Sequence, residues 1–220
     1  VSKGVHNRSI VIAVDGPAAS GKGTLARRLA THYGFAYLDT GSLYRAVGQA
    51  VRAGGGDPAD KEAALAAAKA LDVSRIDEQA IRTAEAGEAA SLVAVMPEVR
   101  AAILHFQRDF ASRPPQGEPG AVLDGRDIGT VVCPGAQAKL FVTARPEIRA
   151  RRRWLELKNS GADVTEAQVL DDIVERDRRD AERAASPMKP AEDAHLLDTS
   201  DLSIEAAFGA AVAIIDKALG

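Results

Sequence analysis

The segment Gly16-Pro17-Ala18-Ala19-Ser20-Gly21-Lys22-Gly23-Thr24 has the residue types and spacing needed to hold a nucleoside triphosphate. Its glycines let backbone N–H groups converge on phosphate oxygens where a Cβ would obstruct them. A helix opening at Lys22 would add its dipole and its unpaired N-terminal donors. Lys22 brings a mobile positive charge for the β and γ oxygens. The pattern is G-x-x-x-x-G-K with one departure: Gly23 stands where Ser or Thr usually follows the lysine, and Thr24 comes one step later. A glycine-rich turn that binds nothing is the bland alternative. The strand before it and the helix after it favour a phosphate cradle.

Asp124 closes the apolar run Ala121-Val-Leu123, which makes it a candidate, with Thr24, to hold Mg²⁺ beside the cradle. Capping the next turn is the competing role for Asp124. Asp15, at the mouth of the first strand, is a candidate for indirect support only. A guanine-reading N-K-x-D motif is impossible, because the only asparagines are Asn7, followed by Arg, and Asn159, followed by Ser. Arg176, Asp180 and Arg183 are spaced i, i+4, i+7, so a helix would project them from one face. Two guanidiniums flanking a carboxylate can grip a phosphate and a sugar hydroxyl together, or form a solvated salt-bridge ladder. The Arg149-Ala-Arg-Arg-Arg153 run either closes over transferring phosphates or is a basic surface turn. Arg45 and Arg100 are isolated arginines on other predicted helices, and each alone reads as a surface arginine.

The elements that must position these groups alternate in type. Ile10–Val14 reads as a buried strand, Lys22–His32 as a helix and Phe35–Leu38 as a second strand. Leu43, Val47 and Val51 mark a helix ended by Gly54-Gly-Gly56, and the alanine-rich Pro58–Leu71 is helical. The stretch from Leu71 to Ala80 has no clear pattern. Pro97 opens a helix carrying Val99, Ile103, Phe106 and Phe110, and Pro114–Gly117 is a loop. Strands follow at Ala121–Leu123 and Lys139–Thr143, then an arginine-rich helix from Pro146. Thr165-Glu-Ala-Gln168 reads as a capping box, His195–Leu197 as a last strand, and Ser203 as the cap of a C-terminal helix. Strands alternating with helices predict an α/β fold with a parallel sheet.

Composition bounds the rest. At 220 residues and 46% apolar content, the chain can bury one sizeable core. Its 28 Lys+Arg nearly cancel its 31 Asp+Glu, which argues against a nucleic-acid polymer as partner. One cysteine, Cys133, and four scattered histidines exclude a disulfide framework or zinc site and suit a reducing, cytoplasmic compartment. No apolar run approaches the roughly 18 residues of a membrane span, and Ile10–Val14 is too short for a secretory signal.

Four motifs in order make the resemblance specific: Gly16-Pro-x-x-x-Gly-Lys-Gly-Thr24, Asp39-Thr-Gly-Ser-Leu-Tyr-Arg45, Asp124-Gly-Arg-Asp-Ile-Gly-Thr130 and Glu175-Arg-Asp-x-Arg-Asp180. From about Ile10 onward the chain resembles the bacterial cytidylate kinase family, and its Gly-Thr cradle ending resembles nucleoside monophosphate kinases generally. The resemblance implies a P-loop core around a five-stranded parallel sheet flanked by helices. It also implies a small monophosphate-binding segment near 40–112 and a short lid near 149–183. Transfer of the ATP γ-phosphoryl group to CMP or dCMP with Mg²⁺ is the implied activity, and a monomer the expected state. By motif position, Lys22, Arg126, Arg153 and Arg183 would serve the transfer. Thr40, Arg45, Arg126 and Arg183 would surround the CMP phosphate, and Arg176 and Asp180 would hold the sugar. Ser91, Arg100 and Asp127 would read cytosine, the first two on the weaker pattern Glu88-Ala-Ala-Ser91 with Pro97-x-Val-Arg100. Longer family members carry an antiparallel β insert where this chain has only about ten residues, Asp72 to Ile81, too few for it. A kinase for UMP, AMP or a small metabolite such as shikimate is the alternative, as is a slow ATP-hydrolysing regulator.

Overall fold

The computed structural model describes residues 9–77, 80–81 and 83–220. Strand β1 (Ile10–Asp15) is the β-branched run, buried from Ile12 onward. The phosphate loop leads into α1 (Lys22–Tyr33), which Gly34 stops with φ of 66°. A left-handed cap of that kind costs glycine no Cβ clash. Next come β2 (Ala36–Asp39) and α2 (Thr40–Ala53). Helix α3 (Lys61–Lys69) is shorter than its alanine-rich composition predicts, because Asp60 caps it by accepting from the Glu62 and Ala63 N–H groups.

Beyond α3 lie a 3₁₀ turn, Val73–Arg75, and then α4 (Ala84–Val93), capped by Thr83. Residues 78 and 79 of the short stretch lie outside the described residues, and the described ones contain no strand there. Helix α5 (Pro97–Ser112) begins on its proline. Strand β3 (Gly120–Gly125) is buried throughout and is followed by a single π-helical turn, Ile128–Val132. Then come β4 (Ala138–Thr143) and α6 (Pro146–Asn159). The capping box of Thr165 and Gln168 opens α7 (Glu166–Glu182). The chain ends with β5 (His195–Asp198) and α8 (Ile204–Leu219), the latter capped by Ser203.

The sheet order is β2-β3-β1-β4-β5 and every pairing is parallel. The expected α/β fold with five parallel strands is therefore present. On one face α1 and α8 pack against β1, β3 and β4 through Leu25, Leu29, Ala211 and Ile215. On the other, the π turn and Ala111 of α5 cover Ala13, Leu38 and Leu123. Helices α2 to α5 share a separate core around Leu43, Val47, Val93, Val99 and Ile103. The α6–α7 hairpin has a small core of its own, Ala150, Val169 and Ile173. Because β1 sits at the sheet centre with β3 and β4 on opposite sides, its carboxyl end opens a crevice. No single helix among the described residues is long and apolar enough to cross a membrane.

Candidate active site

The phosphate loop occupies that crevice. Gly16 has φ of 142°, and a Cβ there would lie 2.0 Å from the Val142 carbonyl oxygen, so only glycine fits. Thr199, beside the end of β5, donates its hydroxyl to the Ser20 carbonyl at 3.0 Å. Arg152 on α6 donates to the Thr199 hydroxyl and carbonyl. At Gly23, the departure in the motif, the Asp124 carboxylate and the Tyr37 hydroxyl stand 3.4 and 3.9 Å from where a Cβ would be, ordinary contact distances, so space alone does not demand glycine there.

Lys22 is buried and donates to the Pro17 carbonyl at 3.3 Å. Burial and the neighbouring Arg126 push its ammonium down to about 7. Asp39 and Asp124 are paired across β2 and β3, which brings two carboxylates together beside it. Asp124 accepts from the Tyr37 hydroxyl at 2.7 Å; burial and Asp39 raise its carboxyl to about 6. Burial opposes ionisation of Asp39 too, but Arg45, at 2.5 Å, outweighs it and holds that carboxyl below its usual range.

A cleft of about 1140 Å³ runs from the phosphate loop to α4, α5 and α7. Ala18 through Thr24 line one end; Gly16 and Pro17, also expected to touch the phosphates, do not line it. Thr40, Arg45, Ser91 and Arg100 line the far end from α2, α4 and α5, while Arg126 and Asp127 come from the turn after β3. Arg176, Asp180 and Arg183 close it from the α7 side, with Arg153 of α6 beside them. Expected site residues from Ala18 of the phosphate loop to Arg183 beyond α7 thus meet in one cleft.

Within it the charges form a chain. Asp127 accepts from Arg100, and its other oxygen lies 3.6 Å from Arg183. Asp180 accepts from Arg126 Nε at 2.9 Å and lies 4.0 Å from Arg183. Burial opposes ionisation of Asp180, but Arg126, Arg176 and Arg183 together hold it low. Thr40 donates to the Asp124 carbonyl at 2.7 Å. Cation still exceeds anion here. Burial and Arg126 lower Arg176 to about 10, with Arg45 and Arg153 adding to the effect. Arg45 Nε, Arg100 Nε, Arg176 Nε, Arg183 Nη2 and the Ser91 hydroxyl are buried without a hydrogen-bond partner. Unpaired buried donors of this kind fit an anionic ligand with acceptor groups.

Several positions differ from their sequence-based reading. Arg183 falls one residue past α7, where its Nε donates to the Ser186 carbonyl at 2.5 Å. Arg100 is not a surface arginine; it is buried, with its guanidinium 5.3 Å from the Tyr44 ring. Asp15, by contrast, has the indirect role expected of it and does not line the cleft. It accepts from the Ile128 and Gly129 N–H groups, each at 2.7 Å, and so pins the π turn that presents Asp127. Arg149 is buried in an ion pair with Asp177 and does not face the cleft. Tyr37, Tyr44 and Thr199 escaped sequence reasoning; only the strand-end placement of Tyr37, two residues before Asp39, carried a signal.

A parallel sheet with the cradle at its centre, faced by an arginine cluster across a single cleft, defines a P-loop kinase. The family model for cytidylate kinase matches residues 12–217. A cytidylate kinase of Rhodospirillum rubrum is 62% identical over 206 residues, covering 94% of this chain and 97% of its own. Those of Xanthobacter autotrophicus and Methylocella silvestris are 60% and 56% identical, over 94% and 95% of this chain and 97% and 95% of theirs. The chain belongs to the cytidylate kinase family. A solved structure of an uncharacterised protein from Eubacterium ventriosum shares the fold, with a TM-score of 0.52 and 16% identity over 96% of this chain and 99% of that one.

Proposed function

We propose that the protein transfers the γ-phosphoryl group of ATP to CMP and dCMP, giving CDP and dCDP, by direct in-line displacement. The observation that carries this reading is the cluster of arginines that lines the cleft opposite the cradle, with more guanidinium N–H groups than the neighbouring carboxylates satisfy. Both substrates are anionic, so the main obstacle is bringing like charges together out of water. Lys22 and the loop amides neutralise the donor, while Arg45, Arg126, Arg153 and Arg183 neutralise the acceptor and the group in transit. No general base is needed. Arg176 and Asp180 hold the sugar. Ser91 and Asp127 accept from the cytosine amine while Arg100 donates to the ring, an order that disfavours a base lacking the amine.

Magnesium fits the donor end. Asp124 is a buried carboxylate next to a second one, a repulsion that a cation would relieve, and Thr24 lines the cleft nearby. Among the described residues no three ligating side chains stand together. An ion held by Asp124 and Thr24 would therefore complete its shell with phosphate oxygens and water. When bound, it supplies positive charge to the β and γ oxygens. The cleft is built within one chain, so a monomer suffices, and a cytoplasmic location follows from its substrates.

The test is ADP formation from ATP with CMP, dCMP, UMP, AMP or shikimate as acceptor. CMP-dependent turnover is expected. Equal turnover with every acceptor, or with none, would overturn the assignment.

A further inference from the structure

The phosphate loop touches the α6–α7 hairpin in two places that the chemistry above does not use. Arg149, buried near the start of α6, has three partners. Its Nε donates to the Ala144 carbonyl at 2.8 Å, Nη1 to the Ala18 carbonyl at 3.2 Å and Nη2 to Asp177 on α7 at 2.6 Å. The next loop residue, Ala19, has φ of 57°, a backbone conformation that a Cβ disfavours. Its methyl group packs against the hairpin core of Ala150, Val169 and Ile173. The hairpin therefore holds both the carbonyl before the strained residue and the side chain on it. Asp177 adjoins Arg176 in sequence, and its charge acts on Arg126.

We propose that Arg149, with Asp177, is a positioning pair that ties the phosphate loop to α7, so that filling the donor end tightens binding at the acceptor end. This rests on the reading of the cleft as a donor and an acceptor site. Donor phosphates favour the loop conformation whose N–H groups converge on them. The Ala18 carbonyl meets Arg149 in the conformation seen here. Arg149 in turn fixes α7 through Asp177, with Arg176 and Asp180 facing the cleft. Coupling between two ligands requires such an element, contacted by both sites and biased by each. Lysine cannot replace Arg149, because a single ammonium lacks the planar fork that spans two carbonyls and a carboxylate.

The experiment is calorimetric titration of CMP into wild type, Arg149→Lys and Asp177→Asn, with and without a non-hydrolysable ATP analogue. Steady-state kinetics and melting curves accompany it. In wild type, CMP should bind at least about five-fold tighter when the analogue is present. Both variants should bind each ligand alone within about three-fold of wild type, lose that coupling, and show kcat lowered on the order of ten-fold. Coupling retained in both variants, or absent from wild type, overturns the proposal. So does loss of single-ligand binding in step with melting temperature in both variants, which marks plain structural support. If wild type fails to turn over CMP in the acceptor assay, the functional reading falls instead, and the two failures are told apart.

Discussion

Asp15 and Asp124 end neighbouring strands, yet they do different work. Asp124 faces the cleft beside Lys22, while both oxygens of Asp15 are taken by backbone N–H groups of the π turn. Burial dominates the titration of Asp15, raising its carboxyl from 3.8 to about 6 despite those two bonds. A folded-state value above the unfolded one means that the native state binds the extra proton between these pH values. The stability this group contributes is therefore greatest below pH 4 and is lost as pH rises through 6. The span corresponds to roughly 3 kcal/mol. Asp15→Asn does not titrate; its NH2 cannot accept the second N–H bond, a cost that is constant with pH, so in urea unfolding wild type should lose stability relative to it by that order between pH 4 and pH 7. A difference between the two proteins that stays constant with pH would show that Asp15 does not titrate on folding. Sequence reading gave Asp15 an indirect supporting role without naming what it supports, because a π turn has no compositional signature and its free N–H groups are invisible in a string of letters. Arg149 was ambiguous for a related reason: a charged run says nothing about which member will be buried.

Among the elements, those with strong local chemistry were legible. The β-branched run of β1, the Pro97 start of α5 and the Thr165 capping box all lie where propensity and caps put them. Less legible was the packing of α2 on α4, which sets the acceptor end. A Cβ on Gly48 of α2 would lie 2.7 Å from the Ala89 Cβ and 2.9 Å from its carbonyl carbon on α4. Backbone cannot yield as a flexible side chain does, so Gly48→Ala must push the two helices apart. Helix α2 carries Thr40 and Arg45, and α4 carries Ser91, so the displacement reaches both phosphate and base contacts. Overpacking of this sort costs about 1–3 kcal/mol in stability. The variant should melt lower and show a KM for CMP raised several-fold with the KM for ATP little changed. An equal rise in both would mean that the displacement is not confined to the acceptor end. Nothing in the sequence around Gly48 announces this contact, because its partner is 41 residues away and is itself a plain alanine.

Across the whole molecule, a formal charge of −3 coexists with a cationic cleft. The total describes the surface; function rests on how the fold gathers arginines from α2, α5, the turn after β3, and α7. That gathering was legible only through the resemblance, by four motifs in their order and a weaker pattern for Arg100, since no local pattern says that Arg45 and Arg176 will meet. Their meeting has an energetic consequence for the ligand-free protein. Arg176 is half-buried in the cleft wall beside Arg126, Arg45 and Arg153, and desolvation with these like charges drives its guanidinium down to about 10, so its charge is held against repulsion and without full hydration. Residues kept at such a disadvantage for binding are places where stability and function oppose each other. Arg176→Gln should therefore stabilise the ligand-free protein by about 1 kcal/mol. The same change removes the charged donor that holds the CMP sugar, and should weaken CMP binding by about 1.5–3 kcal/mol. Melting curves with and without CMP read both effects at once: the variant should melt above wild type alone and below it at saturating CMP for wild type. A variant that melts lower in both conditions would mean that Arg176 supports the fold, and that the cluster's charge is already compensated without ligand.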